Sequence, residues 1–138
     1  MKTIQNILLA VTLAGSTIST QAQDQRKETP EYYAVYESAF HETSRLGINP
    51  TEKIFVSNVN VHSGNVSIRF KEPLNGPAII NIYDEKGRLL VNQYMELNGT
   101  KTEFPLYSTL KNGIQFLHIF TEKAEAIYQF NNNDTVSN

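Results

Sequence analysis

The chain has no cysteine among its 138 residues. Without cysteine there are no disulfide bonds, so we expect a packed apolar core to hold the fold alone. The same absence excludes a cysteine nucleophile. It also excludes the lipid-bearing cysteine that follows the signal of a bacterial lipoprotein, and it favours a Gram-negative periplasm or exterior over a eukaryotic secretory route.

Charge clusters and catalytic motifs are also missing. The formal net charge is −2, and no cluster of Lys and Arg alternates with aromatic residues, so we predict no nucleic-acid partner. Neither a glycine-rich phosphate loop nor a Gly-x-Ser-x-Gly motif occurs. Acidic residues that could form a glycosidase pair fall in predicted turns, as at Asp84, Glu85 and Glu122. We therefore predict a protein that is not an enzyme, with no catalytic residue and no cofactor.

The histidines give little indication of a metal site. Glu37 and His41 lie four residues apart and, together with Glu42, could share one face of a helix. A complete site would need His62 or His118 from elsewhere in the chain. Because charged residues four apart commonly form solvated pairs on a helix, we predict no metal ligand.

The N-terminus has the pattern of an export signal. Lys2 precedes the apolar run of residues 7–14, and Thr20-Gln21-Ala22 has small residues at the expected cleavage positions. This predicts a signal peptide over residues 1–22 and a periplasmic, cell-surface or extracellular protein. The competing interpretation, a short buried helix, fits poorly with the polar residues that follow. The run is too short for a bilayer anchor, so we expect no membrane span after cleavage.

Residues 23–47 form the predicted linker and N-terminal segment. Residues 30–47 are typical of a helix, because Thr29 is a suitable N-cap, Pro30 suits the first helical position and Gly47 suits the end. Five apolar or aromatic residues recur at helical spacing: Tyr32, Val35, Tyr36, Ala39 and Phe40. The alternative is an extended aromatic strand that docks on the edge of a sheet.

Residues 48–130 show a period of two that is typical of strands. The predicted strands are residues 54–61, 66–70, 78–83, 89–95, 100–104, 113–121 and 124–130, separated mainly by turns at 63–65 and 98–99 and by loops at 73–77 and 105–112. About seven short strands at this spacing favour an all-β fold, an antiparallel sandwich of immunoglobulin-like type. Residues 131–138 are predicted to be a disordered polar tail.

Three short motifs have predicted structural roles. In residues 82–89, Gly87 closes a hairpin and Asp84 can accept hydrogen bonds from the turn's own amides. In residues 110–119, Gly113 leads from a loop into a strand. Together with Asn49-Pro50-Thr51, these motifs resemble the C-terminal sorting domain of the type IX secretion system and related small exported sandwich proteins. Ile48 and Gln115 differ from the residues that the family usually carries there.

The resemblance implies an exported module, and one interpretation of its function is a stand-alone sorting-type domain. Residues 23–47 leave no space for a large cargo ahead of the sandwich, so the sandwich would itself be the cargo. Asp134-Thr135-Val136 resembles the O-glycosylation acceptor of bacteria that use this pathway, which makes Thr135 a candidate modification site.

Our leading hypothesis concerns the aromatic cluster before the sandwich, which comprises Tyr32, Tyr33, Tyr36 and Phe40. Such residues either cover a sheet or bind a partner. We predict a non-catalytic interaction or envelope-surface protein whose partner at the cell envelope is an unidentified protein or glycan. A small carbohydrate-binding module remains as a further alternative.

Overall fold

The computed structural model describes residues 30–133. The predicted signal peptide, the residues 23–29, the N-cap candidate Thr29 and the glycosylation candidate Thr135 lie outside this part of the chain. The described elements are α1 (Pro30–Arg45), β1 (Glu52–Lys53), β2 (Val56–His62), β3 (Asn65–Tyr83), β4 (Leu89–Pro105), β5 (Gly113–Phe120) and β6 (Ala124–Asn132). The described part of the chain is thus mostly β with one short helix before the strands, and the helical interpretation of residues 30–47 is confirmed.

Helix α1 ends in a turn that satisfies its last carbonyl groups. The Gly47 amide donates to the Ser44 carbonyl at 3.0 Å, and the Ile48 amide donates to the Thr43 carbonyl at 2.9 Å. This is the Schellman arrangement, in which glycine at positive φ reverses the chain. Gly47 has φ +73°, so its predicted role at the end of the helix is the observed one.

The six strands form one sheet in the order β1-β6-β5-β3-β2, with β4 paired to the remaining side of β3. Neighbours are antiparallel except β1 and β6, which are parallel. This differs from a two-sheet sandwich of about seven strands. The predicted loop at 73–77 and the predicted turn at 98–99 are both strand residues, so four predicted strands merge into the 19-residue β3 and the 17-residue β4.

The prolines near residue 75 are compatible with a strand because of what lies beside them. β2 pairs with β3 only as far as Phe70, and β5 begins to pair with β3 at Ile79. Between these residues β3 has β4 as its sole neighbour among the described strands, so the missing N–H of a proline removes no ladder bond on the other side. The register with β4 shifts between Arg69 and Leu74, and Pro73 lies in that irregular segment.

The sheet curls until two of its edges nearly meet. Lys53 pairs with β6, and two residues later the Phe55 carbonyl accepts from the Lys71 amide of β3. Two extended residues span only about 7 Å, so the β6 edge and the β2–β3 edge approach each other at this end. The Tyr128 hydroxyl also donates to the Ser57 carbonyl of β2 at 3.5 Å. The result is an open, half-barrel sheet.

The concave side of the sheet holds the apolar core. The most buried members include Val66, Ile68, Ile80, Ile82, Leu117 and Ile119, each 0% exposed. In β5, however, residues 115–120 are all buried, so both faces of this strand are covered. Helix α1 lies on the outer face, where its Ser38 hydroxyl donates to the Gly87 carbonyl at 2.7 Å. The fold therefore places the predicted aromatic segment on the convex side.

Candidate binding surface on helix α1

Helix α1 has one buried stripe and one exposed stripe. Val35, Ala39 and Thr43 are 0%, 2% and 4% exposed, whereas the aromatic side chains Tyr33, Tyr36 and Phe40 are 52%, 51% and 67% exposed. The sequence pattern grouped Tyr36 and Phe40 with Val35 and Ala39. Successive helical residues are rotated by about 100°, so only one of the two adjacent positions can point at the sheet. The backbone of Tyr32 belongs to α1, and its side chain is outside the described part.

Tyr36 and Phe40 form a ridge between two grooves, and we call this pair the aromatic ridge. One groove, of about 630 Å³, separates the ridge from the β3–β4 hairpin and is lined there by Tyr83, Gly87 and Leu89. The other, of about 360 Å³, separates it from β6 and is lined there by Glu125 and Ile127. Leu89 is 52% exposed and adds apolar area beside the ridge. Its strand position carried no sequence signal for such a role.

Charged side chains border the groove on the hairpin side. Glu37, His41 and Glu42 line it next to Phe40. The Arg45 guanidinium donates to Glu42 at 2.6 Å, and this hydrogen bond raises the pKa of Arg45 above its ordinary value. Since Arg45 already compensates Glu42, the border offers one further carboxylate, that of Glu37, to a ligand.

The hairpin turn is organised by Asp84. Its Oδ1 accepts from the Lys86 and Arg88 amides, both at 2.9 Å, and its Oδ2 accepts from the Arg88 guanidinium at 2.7 Å. Partial burial by itself would raise the pKa of this carboxyl. The hydrogen bonds from Arg88 and Lys86 outweigh that effect and hold the pKa of Asp84 below its ordinary value of 3.8. Asp84 thus serves the turn.

Gly87 brings the turn into direct contact with the helix backbone. Its φ is +81°, and a Cβ placed there would lie 2.7 Å from the Ala34 carbonyl oxygen and 3.0 Å from the Ser38 hydroxyl oxygen. A side chain larger than hydrogen cannot fit without moving α1. Gly87 therefore has two structural roles, one in the turn and one at the helix contact that fixes the groove.

Polar groups lie buried in the sheet near this groove. The Asn92 amide donates to Asn81 Oδ1 at 2.6 Å, and the Asn81 amide lies 3.5 Å from the Tyr83 hydroxyl. Burial raises the pKa of the Tyr83 phenol. Tyr83 is 3% exposed and Asn81 is 0% exposed, so their polar atoms serve the sheet more than an external ligand.

His118 is a further buried polar residue of the sheet. Its Nε2 lies 2.9 Å from Glu125 Oε1, so Nε2–H donates to the carboxylate, and its ring stacks on Phe120 with centroids 4.7 Å apart. Nδ1 is buried and has no hydrogen-bond partner among the described residues. The ring is 0% exposed, which gives it no direct access to a substrate.

The remaining candidate residues are dispersed. His41 and His62 are exposed on α1 and β2, apart from the buried His118. Within residues 30–133, no three His, Asp or Glu side chains are grouped so that they could hold a metal ion. The described helix is also too short and too polar to cross a bilayer.

Gly113 is the first residue of β5 and pairs with Asn132, so β6 extends two residues beyond its predicted end. The Lys111 carbonyl accepts from the side-chain amides of Gln115 and Asn132 at 2.8 Å and 2.9 Å. Gln115, which differs from the residue that the sorting-domain family usually carries there, is 3% exposed, and its hydrogen bond to Lys111 holds the loop of residues 105–112 in place.

No protein-family model matches the sequence, and a search of curated proteins finds no match to it.

Proposed function

We propose that the chain is a small exported binding module without catalytic activity, which contacts a protein partner at the cell envelope through the aromatic ridge. The single observation that supports this most strongly is the exposure of Phe40, 67%, and of Tyr36, 51%, on a helix that is itself firmly docked. Large aromatic side chains held outward on a rigid element are typical anchors of protein interfaces.

The shape beside the ridge favours a protein over a sugar. Tyr36 and Phe40 project between two grooves, so a partner can enclose them and fill the grooves with its own side chains. A glycan-binding platform instead needs flat rings set side by side beneath a sugar. Leu89 extends the contact with apolar area that offers no hydrogen bond to a hydroxyl group.

Alanine variants test the proposal. Wild-type protein and the variants Tyr36→Ala and Phe40→Ala are used to capture partners from the envelope fraction of the source cells. We expect each variant to lose about tenfold or more in affinity for the partner, the effect of an interface anchor. Tyr107→Ala is the matched control, because Tyr107 is 92% exposed but lies in the loop before β5.

Circular dichroism and thermal unfolding check that the variants are folded. A partner that is retained equally by all four proteins would show that the ridge is not the interface. Retention of a purified glycan instead of a protein, with the same loss in Phe40→Ala, would favour the carbohydrate-binding alternative.

A second candidate function is a stand-alone sorting-type domain of the type IX secretion system. The motif residues Asp84, Gly87 and Arg88 lie together in one hairpin turn, and Gly113 begins the strand β5, which supports their shared structural role. The relation to immunoglobulin-like sorting modules stays a prediction. Cells with and without the translocon test it, since export that is unchanged by loss of the translocon contradicts this function.

A further inference from the structure

The outer edge of β4 is open over an unusually long stretch. β4 pairs with β3 along one side. Within residues 30–133, no backbone hydrogen bond from another strand or loop reaches its other side. Edge strands in monomeric proteins are normally protected by charges, proline, bulges or a covering segment, because exposed N–H and C=O groups recruit another strand.

The first half of this edge lacks most of these protections. Residues 90–95, Leu-Val-Asn-Gln-Tyr-Met, contain no charged residue and no proline. A register shift at the start of β4, which leaves Leu90 without a partner on β3, is the one such protection in this segment. Leu90 and Tyr94 are 39% and 67% exposed. A neutral, partly apolar edge of this kind exposes backbone N–H and C=O groups that can pair with another strand.

We propose that β4 pairs antiparallel with β4 of a second copy of this chain, centred on Asn92. In an antiparallel pair, hydrogen-bonded and non-hydrogen-bonded positions alternate, so a symmetric pairing must centre on a residue that faces its own copy. With Asn92 at the centre, Leu90 lies opposite Tyr94 of the second copy, and Arg88 lies opposite Glu96 of the second copy. Both contacts occur twice by symmetry.

Charge complementarity distinguishes this register from its neighbours. Arg88 is 72% exposed in its side chain and uses its Nε for Asp84, which leaves other guanidinium donors for a second carboxylate. Centring on Gln93 would place Glu96 opposite Leu90 of the second copy, and centring on Val91 would place Arg88 opposite Tyr94 of the second copy. Only the Asn92 register, among these three, joins opposite charges and apolar side chains together.

The absence of cysteine from the chain makes a direct test possible. Opposite residues in an antiparallel pair have Cα atoms about 4.5–5.5 Å apart, within the range of a disulfide. We expect Asn92→Cys to form a covalent dimer under mild oxidation. Asn98→Cys is the matched control on the same strand. This variant should form no covalent dimer, because residue 98 of the second copy lies at the opposite end of the pairing.

A mixing experiment covers the case in which Asn92→Cys disturbs its hydrogen bond to Asn81. Leu90→Cys and Tyr94→Cys proteins should cross-link with each other when mixed, and each should cross-link poorly alone. Sedimentation of the cysteine-free chain should show dimers, and Glu96→Arg should raise their dissociation constant roughly tenfold, because like charges then face each other.

Two outcomes would overturn the pairing. One is a cysteine-free chain that stays monomeric at high concentration, with no cross-link in any variant. An edge that pairs with a strand of a different protein would give this result. The other is equal cross-linking of Asn92→Cys and Asn98→Cys, since that shows random collision rather than a register.

Discussion

Replacement of Gly87 by alanine tests the docking of α1 directly. The residue has φ +81°, which costs an alanine about 1–2 kcal/mol relative to glycine. The new Cβ would also lie 2.7 Å from the Ala34 carbonyl oxygen, a backbone atom that cannot rotate away. Overpacking of this kind costs a further 1–3 kcal/mol, roughly, so we expect a total loss of about 2–5 kcal/mol in the free energy of unfolding.

Gly64→Ala is a matched control for the backbone effect. Gly64 has the same φ, +81°, and a Cβ there would have no atom within 4 Å. Its expected cost is therefore only the conformational part, about 1–2 kcal/mol. The difference between the two variants isolates the contact between the hairpin turn and α1.

Urea unfolding followed by circular dichroism measures both losses by linear extrapolation. Hydrogen exchange of the α1 amides adds a local measurement, because the helix can undock while the sheet remains folded. We expect Gly87→Ala to lower the protection of α1 and Gly64→Ala to leave it unchanged. Equal losses of stability in the two variants, with equal protection of α1, would refute the described contact between turn and helix.

Three further substitutions have expected outcomes. Because the folded pKa of Asp84 is lowered, the stabilising effect of its carboxylate is present above pH 3.8 and is lost as the pH falls through the lower folded value. Asp84→Asn should therefore lower the free energy of unfolding by about 1 kcal/mol near neutrality. Urea unfolding should show that this difference from wild type disappears in acid. Leu117→Ala removes a side chain that is 0% exposed and should cost about 2–5 kcal/mol, and a loss below about 1 kcal/mol would contradict its place in the core. His118→Phe keeps an aromatic ring at this position, removes a buried nitrogen that has no partner and leaves the partly exposed Glu125 to water. Calorimetry should therefore show a smaller loss in the free energy of unfolding for His118→Phe than for His118→Ala.

Local patterns were sufficient to predict several elements. Val66, Ile68 and Phe70 alternate with polar residues in the sequence. In β3 these three side chains are buried, and the residues between them are more exposed. Pro30 and Gly47 mark the limits of α1 because proline suits the first helical turn and glycine suits the reversal at the end. Each of these features depends on residues a few positions apart.

The merging of the predicted strands could not be found in the same way. Proline and glycine at residues 73–77 are typical of a loop, and they remain compatible with a strand only because β3 lacks a second neighbour there. That condition depends on where β2 ends and β5 begins, and no local window of sequence contains it.

The binding surface shows the same division. Sequence alone identified the aromatic residues of α1, but it grouped Tyr36 and Phe40 with the buried Val35 and Ala39, because a period near four does not say which side of a helix meets the sheet. Leu89 was missed as part of the surface, since an apolar residue in a strand is usually buried.

The amino-acid sequence by itself determined the helix, the hairpin turn at Asp84 and the alternation of the strands, because these depend on steric and hydrogen-bonding preferences between near neighbours. Tertiary structure alone decided the curl of the sheet, the docking of α1 against Gly87 and the open edge of β4. These features depend on which residues distant in the chain come into contact, and therefore on the whole packing arrangement.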